Sequence, residues 1–189
     1  MASDAELIGR SLAGDGEAFV EVVCRHEAAV GAYLTRRAGR EVAEELLGEV
    51  WAAAFGSRAN YDRSFPDARP WLFGVALNTL RRHWRTRRAE DPVPDVTSLA
   101  GGWDPWPAVD ERIDGAAVLR TALAHLRPQE QEVLTLVAWE GLTIADAART
   151  LGIPAGTARR LLHQARLALR ATPAMVALLA KVSTVKEAK

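Results

Sequence analysis

Apolar residues recur along this chain at spacings of three and four, the period of helices with one buried face. Leu7, Ile8 and Leu12 predict a first helix over residues 4–13, broken by Gly14-Asp15-Gly16. Phe19, Val22, Val23, His26, Val30, Tyr33 and Leu34 predict a long helix over 17–38, which Gly39 ends. Leu46, Leu47, Val50, Trp51 and Ala54 predict a third over 41–55, with Glu41, Glu44, Glu45 and Glu49 on its other face. Gly48 stands in mid-helix at a cost of about 1 kcal/mol relative to Ala, which predicts a close contact there. Residues 56–66 are turn-forming. Asp67 as cap and Pro70 in the first turn start a fourth helix that runs to Arg88. Its first half is apolar (Trp71, Leu72, Val75, Ala76, Leu80) and its second half reads RRHWRTRR.

The periodicity stops over residues 91–109, where four prolines and two glycines predict a flexible or extended linker. Four more helices are predicted beyond it, over about 110–126, 128–141, 144–151 and 154–171. Thr143 caps the third of these, and Gly152 ends it. The pattern gives an all-α fold of two helical domains, residues 1–90 and 110–172, with a C-terminal tail over 173–189.

Charge changes this picture more than composition does. The formal net charge is zero, but it is distributed in blocks. Residues 1–56 hold 5 basic and 10 acidic residues, and residues 57–90 hold 8 and 3. Residues 91–114 hold 1 and 6, and residues 115–189 hold 10 and 5. Two basic surfaces alternating with two acidic ones suit a protein that grips a polyanion twice and meets a basic partner elsewhere. A single cysteine, Cys24, excludes a disulfide within the chain, and no second ligand pair accompanies Cys24 and His26, so no metal is expected. No apolar run is long enough to span a bilayer and the N-terminus lacks a signal-peptide core, which predicts a cytoplasmic protein without membrane insertion. No phosphate-binding loop or nucleophile–base constellation is present, so neither a cofactor nor an enzymatic activity is expected.

The clearest motif lies between Leu142 and Arg170. A short capped helix, the turn Leu151-Gly152-Ile153 and a longer helix have the spacing of a helix-turn-helix, whose second helix lies in the major groove. On that second helix Ala158, Leu162, Ala165 and Leu169 form the core stripe. Arg159, His163, Arg166 and Arg170 form another, free of acids. Arginine binds phosphates or reads guanine edges. The run Arg81–Arg88 is a second basic element. Five arginines beside Trp84, with Trp71, Tyr61 and Phe65 nearby, exceed what a helix dipole needs and suit a single strand with stacked bases.

Taken together, these stretches resemble an initiation factor of the sigma-70 family, of the extracytoplasmic-function (ECF) type that keeps only regions 2 and 4. DAELIGRSLAGDGEAFVEVV resembles the start of region 2, and VAEELLGEVWAAAF the acidic helix that docks on the polymerase clamp coiled coil. ARPWLFGVALNTLRRHWR resembles the helix that melts and reads the −10 element. LRPQEQEVLTLVAWEGLTIADAARTLGIPAGTARRLLHQAR resembles region 4, which reads the −35 element. The chain departs from the family at Glu45, where Asp is usual, and at Gly48, where Gln is. Gly74, Leu77 and Leu161 stand where Arg is common, and Arg160 where Ser is.

The resemblance implies a sigma region 2 bundle and a sigma region 4 helix-turn-helix. It implies that Glu44, Glu45, Leu46, Glu49 and Val50 meet core RNA polymerase, through its clamp coiled coil, with the flap as a further contact. Residues 57–66 would capture a flipped −10 base through Asn60, Tyr61 and Phe65, with Asn78 near that pocket and Arg81, Arg82 and Arg85 on the strand. Thr157, Arg159, Arg160, His163 and Arg166 would face the −35 major groove. Promoter DNA and an anti-sigma factor are the further partners implied, with a place on the nucleoid through polymerase. The acidic linker, with Trp103 and Trp106, would thread a polymerase channel that otherwise holds nucleic acid. Two other readings of the residues stand beside this one: a stand-alone helix-turn-helix regulator, which binds a palindromic duplex without polymerase, and an adaptor for which Arg159 and Arg166 are dispensable.

Overall fold

A computed structural model describes residues 2–90 and 122–172, and of residues 88–90 the backbone alone. The chain divides into two compact units, Met1–Pro107 and Ala108–Lys189. Among the described residues every regular element is helical and none is a strand. The expected linker with Trp103 and Trp106, most of the helix over 110–126, the tail beyond Thr172 and the side chain of Arg88 lie outside the described residues.

In the first unit α1 (Asp4–Leu12) starts from a capping box, with Ser3 and Glu6 satisfying each other's backbone N–H groups. Asp15 caps α2 (Gly16–Ala38) through the N–H of Ala18. Gly39, with φ +81°, ends α2 and begins α3 (Arg40–Ser57), a junction of one residue that a side chain at positive φ would strain. A 3-10 turn (Arg58–Asn60) and a loop lead to α4 (Arg69–Glu90). The long helix α2 packs against α1, α3 and α4, so its stripe of Val22, Val30, Tyr33 and Leu34 lies at the centre of the core. Tyr33 meets Phe73 of α4 with ring centroids 5.2 Å apart. Each fully buried Leu or Phe of this kind contributes roughly 1.5–3 kcal/mol by leaving water.

Two expectations fail here for simple geometric reasons. Leu12, the last residue of α1, is 42% exposed, because in the final turn it is Ser11 that faces inward. Gly48 makes no close contact: a Cβ added there would meet nothing within 4 Å, because the residue sits on the solvent side of α3.

In the second unit residues 122–124 are helical, followed by α5 (Pro128–Ala138), α6 (Ile144–Leu151) and α7 (Ala155–Ala171). Pro128 opens α5, where the missing N–H is no loss. Gln131, buried in its first turn, donates through Nε2 to the carbonyls of Leu123 and Leu126 and so fastens the preceding segment to α5. All three helices pack on one another around Leu123, Val133, Leu136, Ala147 and Leu162.

Candidate nucleic-acid and polymerase interfaces

The geometry of the second unit is set by local bonds. Thr143 accepts from the N–H of Asp146 at 3.1 Å and donates to its carboxylate at 2.6 Å, and Asp146 also pairs with Arg149. At the other end of α6, Gly152 has φ +66° and ψ 32°, the left-handed conformation that turns the chain. The N–H of Ile153 then returns to the carbonyl of Ala148 at 3.0 Å. This turn delivers α7 with Ala158, Leu161, Leu162 and Ala165 buried. Arg159, Arg160, His163, Arg166 and Arg170 are exposed, and Thr157 is half-buried at the helix start. No Asp or Glu occurs anywhere in α7, and no side chain caps its first turn, whose N–H groups stay available to an anion. Leu161, where the family often has Arg, is only 5% exposed. It belongs to the core stripe, one residue off the exposed basic side of α7.

In the first unit, Asn78, Arg81, Arg82 and Arg85 recur at three, one and three, and all are exposed on one side of α4. Asn60 is exposed at the end of the 3-10 turn, and Phe65 is half-buried. Tyr61 departs from the expectation that it would meet a base. It is 7% exposed, its ring lies 5.2 Å from that of Trp71, and its hydroxyl donates to the carbonyl of Phe65 at 2.5 Å. Its ring and hydroxyl are both engaged, so Tyr61 braces the loop from inside. Leu77, another position where Arg is common in the family, is also buried.

The acidic surface is on α3. Glu41, Glu44, Glu45 and Glu49 are exposed, with Gly48 and Ala52 between them. Leu46 and Val50, expected to meet polymerase with these acids, are 1% and 0% exposed. The helical period puts them on the opposite side of α3 from the glutamates, where they fill the core. Glu49 reaches across to α4 and accepts from Arg82 at 2.7 Å, joining the acidic face to the basic one.

One buried group went unnoticed in the sequence. Asp4, first residue of α1, is buried. Its Oδ1 accepts from Arg25 at 3.0 Å, and its Oδ2 accepts from the N–H of Ala68 at 2.9 Å and lies 2.7 Å from Nε2 of His26. Burial pushes the Asp4 carboxyl up, but hydrogen bonds from His26 and Ala68, the charge of His26 and the bond from Arg25 outweigh it and hold the pKa below the ordinary value of 3.8. Asp4, His26 and Asp67 lie close enough together to offer one ligand atom each to a metal. Arg25 already supplies a cation to Asp4, which suits a hydrogen-bonded carboxylate better than a metal shell. Cys24, on α2 beside this group, is exposed. In the sequence Asp4 passes for an acid complementing a helix dipole, and only the fold brings Ala68 to it.

Among the described residues no helix is long and apolar enough to cross a membrane. Two family models match the chain: sigma-70 region 2 over residues 22–90 and sigma-70 region 4 over residues 116–169. The ECF RNA polymerase sigma factor SigF of Caulobacter vibrioides is 31% identical over 168 residues, which cover 86% of this chain and 89% of SigF. The ECF RNA polymerase sigma factor BldN of Streptomyces coelicolor is 29% identical over 164 residues, covering 85% of this chain; this chain spans 62% of BldN's length. The fold is similar to that of the sigma factor RpoE from Bartonella quintana, solved in complex with the anti-sigma factor NepR. That likeness has a TM-score of 0.59 at 21% identity and covers 80% of this chain and 94% of RpoE.

Proposed function

We propose how this chain, which belongs to the sigma-70 family as an ECF sigma factor, a promoter-specificity subunit of RNA polymerase, divides that work between its two units. The first unit docks on core polymerase through the exposed acids of α3, Glu44, Glu45 and Glu49. Its loop over residues 57–66 then captures an unpaired −10 base with Asn60 and Phe65, while Tyr61 holds the loop's shape. Asn78, Arg81, Arg82 and Arg85 follow the strand along α4. Flipping a base costs a few kcal/mol, which stacking and hydrogen bonding in the loop offset, so the open promoter is stabilised. The second unit lays α7 in the −35 major groove, with Thr157, Arg159, Arg160, His163 and Arg166 toward DNA. Members of this family are initiation factors rather than catalysts, and the polymerase supplies the chemistry. By analogy with RpoE and NepR, an anti-sigma factor restrains the chain by covering one of these faces.

The observation that carries this reading is α7: a helix delivered by a left-handed glycine turn, with four arginines and a histidine exposed and no acid among them. The test is run-off transcription with purified protein, bacterial core polymerase and fragmented genomic DNA of the source organism, sequencing the 5′ ends. Discrete starts that share upstream elements are expected, lost with Arg159→Ala/Arg166→Ala and with Glu45→Lys. Tight binding to a duplex without polymerase, and no discrete starts, would replace this reading with a stand-alone regulator.

A further inference from the structure

The loop that carries Asn60 and Phe65 has its far end fastened by a residue more than sixty positions away in sequence. Asp4 holds it twice. Its carboxylate accepts the N–H of Ala68 at 2.9 Å, and its own backbone N–H donates to the carbonyl of Pro66 at 3.0 Å. Ala68 is fully buried, and its carbonyl accepts the first helical bond of α4, from Leu72 at 2.9 Å. Asp4 thus fixes the point at which the loop becomes the DNA-facing helix.

The carboxylate is itself held from α2. Arg25 donates to Asp4 and, at 2.7 Å, to the carbonyl of Ala2, and also pairs with Glu21. His26 meets the second oxygen. The loop also rests directly on α1: a Cβ on Gly9 would lie 3.3 Å from the guanidinium of Arg63. Inside the loop, the N–H of Ser64 donates to Asp62 and the hydroxyl of Tyr61 to the carbonyl of Phe65, so the segment is tied together internally.

We propose that Asp4 is a positioning residue for −10 recognition: it touches no DNA, but its two bonds to Pro66 and Ala68 set where Asn60 and Phe65 stand relative to the unpaired strand. This rests on the reading of residues 57–66 as the base-capturing loop. A carboxylate is required because one group must accept from a buried backbone N–H and at the same time answer the charge of Arg25. An amide of the same shape does the first only.

The experiment uses holoenzyme assembled from the full chain and core polymerase, with a set of promoters differing by single bases in the −10 element and, separately, in the −35 element. For Asp4→Ala the ratio of transcript from preferred and non-preferred −10 bases is expected to fall about tenfold, the order of a lost buried bond to a charged group. The −35 ratios and the affinity for core polymerase should stay unchanged. Asp4→Asn should flatten the same −10 positions less, and it serves in place of Asp4→Ala if that variant does not fold. Asn60→Ala and Phe65→Ala are the controls for the underlying reading. If they flatten −10 preference while both Asp4 variants leave the ratios intact, or lower every promoter alike as a loss of folded protein does, the positioning role is wrong. If Asn60→Ala and Phe65→Ala leave −10 preference untouched, the loop reading itself fails and the proposal with it.

Discussion

The two units hold the residues proposed to face DNA in opposite ways. In the second, the turn that delivers α7 is built within a short contiguous stretch, the Thr143 cap, the Gly152 turn and the return bond from Ile153, and the core stripe of α7 seats it on α5 and α6. In the first, the loop with Asn60 and Phe65 is aimed from far away, by Asp4 on α1 and through it by Arg25 and His26 on α2. A locally built reader can be altered by changing its own residues. A remotely braced one can be altered by residues that never approach DNA.

The largest effect that tests this contrast is in the second unit. Leu161→Ala should cost about 2–5 kcal/mol, the range for truncating a buried Leu, because the residue is core. Denaturant unfolding of the full chain, followed by hydrogen exchange of α7 amides, measures it. A stable variant with altered −35 preference would put Leu161 on the DNA side after all.

Acid should separate the units next. The carboxyl of Asp4 has its pKa lowered, against the opposing effect of burial. Glu6 is lowered chiefly by the N–H of Ser3, and Asp15 chiefly by Arg10. All three are in the first unit. A depressed carboxyl contributes stability that is fully present above its ordinary value, 3.8 for Asp4, and is lost as pH falls through the lower folded value. The protection of amides in α1 and in the loop over residues 61–68, relative to their intrinsic exchange at each pH, should therefore fall as pH drops below 3.8 in the native protein, and this acid response should shrink in Asp4→Asn.

Smaller effects sharpen the local side. Thr143→Ala removes a helix cap and should cost about 1 kcal/mol, read as a lower denaturant midpoint for the second unit. Gly48→Ala should go the other way and stabilise the first unit by roughly 1 kcal/mol, since the position is helical, exposed and open. If the gain in stability comes with weaker binding to core polymerase, the missing side chain serves the partner's approach.

How much of this was legible in the sequence follows the same division. Most helices emerge from spacing to within a residue or two, α2 being expected over 17–38 and found at Gly16–Ala38, while α5, expected over 128–141, stops three residues early at Ala138. The helix-turn-helix is fully readable because its determinants are neighbours in sequence. What the sequence conceals is direction and distance. For Leu46 and Val50 the helical period already gives the apolar face, and it is the resemblance that sends them to polymerase with the glutamates. Tyr61 lies between exposed Asn60 and Asp62, and packing on Trp71 is a tertiary event that no local pattern announces. Asp4 carries no signal at all until the chain brings Ala68 back to it.

The bond between Glu49 and Arg82 gives the two surfaces of the first unit a shared ionic ledger. An arginine that neutralises a phosphate releases a condensed cation from DNA, which is why such contacts weaken as salt rises. In the proposed promoter complex the exposed arginines of α7 behave in this way. Arg82 gives Glu49 only its Nη2 in an exposed pair, so in the proposed promoter complex the neighbouring carboxylate offsets part of its charge and lowers the number of ions set free. In the proposed holoenzyme polymerase covers Glu49, and that offset weakens. The expected outcome is a salt dependence of promoter binding that is steeper for holoenzyme than for the free chain, read from binding titrations at several salt concentrations.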